Sequence, residues 1–156
     1  MLNEVEINKV TDPKDCISED DLFNQVMKHQ DDMNDVMLML SEHLRDMGSV
    51  HDWTKTDFFT DFYEDSLERQ KETPTPFHDR DWFNIHCTYE RHHLNSRIPS
   101  DVDLFDLLEF ICDCMVTSME HEEDLNKYFL LLNNQILYDA YWNTVEKIRS
   151  CLKYKE

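Results

Sequence analysis

Glycine is almost missing from this chain: Gly48 is the only one in 156 residues, alongside four prolines. Two-residue hairpins usually need a residue that accepts positive φ, so a fold built from tight β-hairpins is disfavoured. The abundance of Leu, Met, Glu, Asp and Lys points to helices instead. Basic residues are also scarce, 15 against 34 acidic ones, for a net charge of −19. Such a surface repels nucleic-acid backbones and anionic membranes, and where it recruits a macromolecule, a basic protein is the matching partner. No apolar run is long enough to span a bilayer and no secretory leader is visible. The cysteines, Cys16, Cys87, Cys112, Cys114 and Cys151, are odd in number and lack a Cys-x-x-Cys spacing. Cys112 and Cys114, inside an apolar run, read as buried free thiols, and a reducing cytoplasm is the expected compartment.

What is present patterns as an all-α, single-domain helical bundle of about five to six helices. Residues 1–17 lack sustained periodicity and read as an N-terminal arm, with the helical domain over 18–156. A capping-box-like Ser18-Glu19-Asp20-Asp21 opens the first helix, whose apolar positions are Leu22, Val26, Met33, Val36, Met37, Leu40, Leu44 and Met47 and which ends near Gly48. Thr56 caps a second helix from about Asp57 to Arg69, with Phe58, Phe59, Phe62, Tyr63 and Leu67 on its buried side. Thr73-Pro74-Thr75-Pro76 breaks the pattern into a loop suited to a rim or lid. A third helix from about Asp79 or Asp81 runs through His93, and a fourth, mostly apolar, from about Asp103 to Met119. The remainder supplies a helix from Glu122 through Leu132, a break at Asn133-Asn134, and a closing helix.

The chemistry-bearing residues gather around His51-Asp52-Trp53-Thr54-Lys55. An adjacent His and Asp can aim a neutral nitrogen and an anionic carboxylate at one point, and the carboxylate has two oxygens with which to bridge two cations. Upstream, His29 falls on the first helix's apolar seam, either as a core imidazole satisfied by a carbonyl or as a ligand. On a continuous third helix His86 and His93, seven residues apart, share a face, whereas His92 points about 100° away. The spacing therefore selects His86 and His93 as ligands and leaves His92 beside the substrate, although a plain solvated face also accommodates three histidines in eight residues. Asp106, Glu109 and Asp113 form an acidic stripe on the fourth helix. Asp106 reads as solvent-facing, while Asp113, between two cysteines, faces either water or a cation.

In order, a His, a His-Asp pair, two spaced histidines and a late Asp resemble the HD-domain superfamily of all-helical metallohydrolases, and His51 to Lys55 resembles its His-Asp-x-x-Lys turn. His29, Leu44-Arg45-Asp46-Met47-Gly48, His51 to Lys55, His86 with His92-His93, and Asp103 to Glu109 leading to Asp113 are together similar to a small uncharacterised HD-like family of tailed phages and some bacteria, which would place the protein in the host cytoplasm. The resemblance spans residues 29 to 119. It implies that His29, His51, Asp52 and Asp113 hold one metal, and that Asp52 bridges to a second held by His86 and His93. Two divalent transition ions, manganese or iron ahead of magnesium, cobalt, nickel or zinc, about 3.5–4 Å apart would share an activated hydroxide and attack a phosphoester in line.

Under that reading Asp52 and Lys55 carry the chemistry, and Lys55, Arg91, His92 and Arg97 receive a small anionic phosphoester, a nucleotide by preference. Lys55 suits an ordinary ion pair with Asp52 or Asp57 equally well. Three other readings stand beside the phosphohydrolase: a di-iron centre that activates oxygen, an acidic interaction or inhibitor protein on an HD-like scaffold, and a helical assembly protein whose histidines are incidental.

Overall fold

The computed structural model describes residues 2–9, 18–76, 79–127 and 133–155. The fold is all-α, with six helices and a two-stranded sheet among those residues. The chain divides into two compact units, one formed by Met1–Asp46 with Thr144–Glu156 and the other by Met47–Asn143. No helix among the described residues is long and apolar enough to cross a membrane.

Helix α1 spans Glu19–Val50. Ser18 Oγ accepts from the Asp21 backbone N–H at 3.1 Å, and its hydroxyl donates to Asp21 Oδ2 at 2.6 Å. Glu19, Asp20 and Asp21 fill the first turn, where the helix dipole favours negative charge. In this helix only Asp32 and Met39 are buried, and Leu22, Val26, Met33 and Met37 are exposed.

In the first unit, β1 (Val5–Ile7) pairs in parallel with β2 (Leu152–Tyr154), Val5 opposite Leu152 and Ile7 opposite Tyr154. Residues 5–7 are therefore a strand, where periodicity alone suggests an unpatterned arm. Asp32 fastens this ribbon to α1. Its carboxylate accepts from Asn8 N at 2.9 Å and Asn8 Nδ2 at 2.8 Å, and Lys155 Nζ lies 3.5 Å away. Burial would raise the Asp32 pKa, but the Asn8 donors and Lys155 hold it below the usual carboxylate value.

The second unit contains α2 (Trp53–Asp57), α3 (Phe59–Glu68), α4 (Asp81–Tyr89), α5 (Leu104–Glu120) and the start of α6 (Asn134–Cys151). The expected single helix from Asp57 is two, joined at Phe58, where φ −109° and ψ 42° leave helical geometry. Thr56 does not cap it; its hydroxyl donates back to Trp53 O at 2.7 Å. Phe58 and Phe62 do pack against Trp82, Phe83 and Cys87, whereas Phe59, Tyr63 and Leu67 are exposed. The 73–76 segment is tied down by Glu68 Oε1, which accepts from Thr75 N at 3.0 Å and Thr75 Oγ1 at 2.9 Å. Leu94, Val102, Leu107, Phe110, Cys114 and Ala140 form the unit's other core. Beyond α5 the chain makes a short 3-10 turn over Leu125–Lys127, and residues 128–132 of the expected helix lie outside the described residues.

A reciprocal capping box starts α5. The Asp103 side chain accepts from Phe105 N and Asp106 N, and Asp106 Oδ2 accepts from Asp103 N at 2.9 Å. The same Asp106 carboxylate takes a bidentate Arg91, at 2.8 Å from Nε and 2.7 Å from Nη2. Asp106 is thus buried at 2% exposure, correcting the solvent-facing reading: a cap and a guanidinium together satisfy it. Cys114 is buried but Cys112 is exposed, since two residues along a helix turn a side chain by about 200°. Cys87, Cys112, Cys114 and Cys151 are free thiols, and Cys16 lies outside the described residues.

Candidate metal centre

The centre begins at the turn between α1 and α2. Asp52 has φ 57° and ψ 27°, a left-handed conformation that costs most L-residues roughly 1–2 kcal/mol and that Asp tolerates better than most. As the residue before α2 it could cap that helix, yet its side chain makes no such bond. The carboxylate turns inward instead. Oδ2 is paired with Lys55 Nζ, while Oδ1 is buried without a hydrogen-bond partner. Thr54, fully buried, anchors the turn: its N–H and its hydroxyl both donate to Glu90 Oε1, at 3.0 and 2.8 Å.

That anchor also shapes the histidine segment. The expected helix through His93 stops at Tyr89, because Glu90, held by Thr54, adopts an extended backbone (φ −91°, ψ 109°). His92 and His93 therefore lie in the turn after α4, not on its faces, and helical spacing does not separate them. All three histidines converge. His86 Nε2 is 3.4 Å and His92 Nε2 3.6 Å from Asp52 Oδ1, and His93 Nε2 is 2.6 Å from His86 Nε2. His86 is further fixed by Thr54 Oγ1, 2.5 Å from its Nδ1, and by Trp82 stacked on it at 4.7 Å. His92 is 1% exposed, and neither ring nitrogen makes a well-formed hydrogen bond.

One face of α5 closes the far side with Glu109 and Asp113, one helical turn apart. His51 sits between them, Nδ1 3.0 Å from Glu109 Oε1 and Nε2 3.5 Å from Asp113 Oδ1. Its ring lies 4.4 Å from that of His92.

The field of these groups separates the histidines into two pairs. Hydrogen bonds to Asp113 and Glu109 raise His51 to about 10. Burial would lower His92, but the Asp52 and Glu109 carboxylates beside it lift it to about 9. His86 is pushed down to about 3 by burial and by His93, and His93 to about 4 by burial and by His92. Burial opposes ionisation of Asp52, Glu109 and Asp113, yet the neighbouring imidazoles, and Lys55 at Asp52, hold all three carboxyls below their ordinary range. Two neutral imidazoles, His86 and His93, hydrogen-bonded to each other through Nε2, thus lie beside three carboxylates whose charge is balanced by positive side chains.

The arrangement can hold metal ions. Ligand atoms of Asp52, His86, His92 and His93 all lie within 4.8 Å of one another, as do those of His51, His92 and Asp113, so His92 belongs to both groups. Asp52 Oδ1, buried and unsatisfied, is an atom a cation would satisfy, and His92 Nε2 can bind one on giving up its proton. Nitrogen-rich donor sets of this kind suit transition ions.

Of the residues singled out in the sequence, His51, Asp52, His86, His93 and Asp113 come together, with His92 among them as a candidate ligand and Lys55 on Asp52. His29 is exposed on α1 in the first unit and belongs to neither group. Arg91 is engaged by Asp106 and Asp101, and Arg97 is exposed, lining a small cavity of about 190 Å³ with Arg91 and Asp101. Sequence reasoning misses Thr54, Glu90 and Glu109 as parts of the site. Glu109 carries a usable signal, its place one turn before Asp113, whereas nothing local marks Thr54 or Glu90. No protein-family model, curated protein or solved structure matches this chain.

Proposed function

We propose that this cluster is a dinuclear metal centre of the HD type and that the protein is a metal-dependent phosphohydrolase acting on a nucleotide or related small phosphoester. The observation that carries this reading is the pair of adjoining ligand groups, with His92, which lies in both, able to serve either one through Nε2 and Asp52 contributing an unsatisfied buried oxygen. Its ligand set departs from the one the resemblance implies, since His92 takes part and His29 does not. Manganese and iron are the ions the imidazole-rich set favours, and when bound they would supply an activated water and positive charge for the phosphoryl oxygens.

The chain's own contribution is placement. Asp52, in its left-handed turn, presents Oδ1 to His86 and His92 while Oδ2 retains Lys55. Lys55, partly exposed beside the cluster, offers an anionic substrate a flexible cation on an otherwise acidic surface. Trp82, backed by Phe62, covers His86 and keeps water from that side.

Elemental analysis of the purified chain, followed by a phosphoester screen with added manganese or iron, tests the proposal. Bound transition metal and hydrolysis, both lost in Asp52→Ala, are expected; full metal content and activity in that variant would overturn it. The same ligands also suit oxygen activation by two irons, which would appear as turnover that requires O₂.

A second reading, an acidic interaction protein, is favoured by a cavity of about 420 Å³ whose wall holds six carboxylates, among them Asp61, Glu64 and Glu68, against one cation, Arg80, which pairs with Asp65. It calls for capture of a basic protein that survives mutation of Asp52 and is lost at high salt.

A further inference from the structure

Glu109 belongs to neither ligand group, yet its carboxylate lies against two of the candidate ligands and meets each of them at Nδ1. Its Oε1 is 3.0 Å from His51 Nδ1 and, at the longer reach of an ion pair, 3.4 Å from His92 Nδ1. The opposite nitrogens point the other way: His51 Nε2 is 3.5 Å from Asp113 Oδ1 and 3.6 Å from Asp52 Oδ2, and His92 Nε2 is 3.6 Å from Asp52 Oδ1. We propose that Glu109 is a positioning residue that anchors the Nδ1 side of both His51 and His92 and so commits both rings to ligate through Nε2.

Without metal both rings carry a proton on each nitrogen; on binding, each gives up its Nε2 proton and becomes a neutral imidazole with one N–H and one lone pair. A carboxylate that accepts from Nδ1–H fixes both the tautomer and the ring orientation and makes Nε2 the more basic donor. One oxygen shared by two rings also ties their positions together, consistent with the 4.4 Å separation and 34° tilt of His51 and His92. The position of Glu109 on α5 makes the grip two-ended: Asp113, one turn further on, approaches His51 from the ring's other nitrogen.

The same logic recurs at His86 through a relay. Its Nδ1 is 2.5 Å from Thr54 Oγ1, whose hydroxyl donates to Glu90 Oε1 at 2.8 Å. Since the Thr54 proton is directed to Glu90, the hydroxyl oxygen is left to accept from His86 Nδ1–H, which leaves the lone pair of His86 on Nε2, where it now meets His93 Nε2 at 2.6 Å. Two outer carboxylates, Glu109 and Glu90, therefore orient three of the four histidines.

This inference rests on the metal-centre reading, and the test separates the two. The full chain, labelled with ¹⁵N-histidine, is titrated with zinc beside Glu109→Ala and Glu109→Gln, with circular dichroism to check folding and long-range ¹H–¹⁵N spectra to identify the protonated nitrogen of each ring. Wild type is expected to bind zinc with His51 and His92 protonated at Nδ1 and ligated at Nε2. Glu109→Ala is expected to bind about 10- to 100-fold more weakly and to lose that single-tautomer pattern at both rings. Glu109→Gln, which keeps one acceptor oxygen of the same shape, is expected to fall between them, and it carries the test alone if the alanine variant does not fold. Zinc affinity within about twofold of wild type in the folded variants, or Nδ1 ligation in wild type, would overturn the role of Glu109 while leaving the metal centre standing. A wild-type chain that takes up no zinc, manganese or iron would overturn both.

Discussion

Asp32 and Asp52 make an instructive pair. Asp32 is buried and Asp52 half-buried, and both are held below the ordinary aspartate range. Asp32, in the first unit, is fully served: Asn8 donates twice and Lys155 stands near, so the group ties strands to a helix and has nothing left to offer. Asp52, in the second unit, sits in a left-handed turn with one oxygen on Lys55 and the other buried without a donor. Asp106 repeats the Asp32 pattern, with its oxygens used by the α5 cap and by Arg91. Saturation marks the carboxylates that build this fold, and the shortfall at Asp52 leaves it an oxygen available to a ligand.

Substitutions should separate the two kinds. The largest effect is expected for Asp52→Ala: metal content falls by at least about 100-fold, because the lost group faces both histidine sets, well beyond what an outer-shell change costs. Unfolding of the metal-free chain should also come at a lower temperature, since alanine fits the left-handed turn less well than aspartate and Lys55, His51 and His92 lose a counter-charge. Metal content in Asp52→Ala no lower than in Asp106→Ala would erase the distinction.

Asp106→Ala should lower stability by about 2 kcal/mol, combining a lost α5 cap with a partly exposed Arg91 left without its main partner. Urea titration followed by circular dichroism reads this directly. Metal affinity measured under native conditions should stay close to wild type.

Lys55→Ala sharpens the contrast from the other side. If Asp52 Oδ2 retains the lysine chiefly to receive an anion, phosphoester KM should rise about tenfold, about 1.4 kcal/mol, while metal content is kept. Loss of metal with unchanged KM would instead make Lys55 a partner of the ligand alone.

The smallest effect belongs to Asp32→Asn, about 1 kcal/mol. It should depend on pH in a defined direction. The folded Asp32 pKa lies below its unfolded value of 3.8, so its contribution is fully present above that value and is lost as pH falls through the folded one. Wild type should therefore exceed Asp32→Asn in stability at neutral pH, with the gap closing in acid. A gap unchanged down to pH 2 would show that proton linkage at Asp32 is negligible.

Much of this architecture is legible in the residues. The Ser18 cap, the Asp103 start of α5 and the scarcity of glycine are local signals for helices, and the structure is all-α. The His51-Asp52 pair and the downstream histidines point to the place where ligand atoms do converge. The end of α4 is not legible, because no proline or glycine stops it there. Glu90 leaves the helix with its side chain held by Thr54, 36 residues earlier, a tertiary event with no local trace. Once that end is misplaced, periodicity assigns His92 to the wrong side. Long-range pairing likewise conceals β1, whose partner strand lies at the other end of the chain, and Asp106, whose saturation depends on Arg91.

The parallel ribbon has a consequence for biogenesis. β1 stays single until Leu152–Tyr154 are made, whereas every residue of the histidine and carboxylate cluster lies between His51 and Asp113. The unit that carries the cluster, Met47–Asn143, is one uninterrupted stretch of chain, so its own contacts do not wait on the closing of the ribbon.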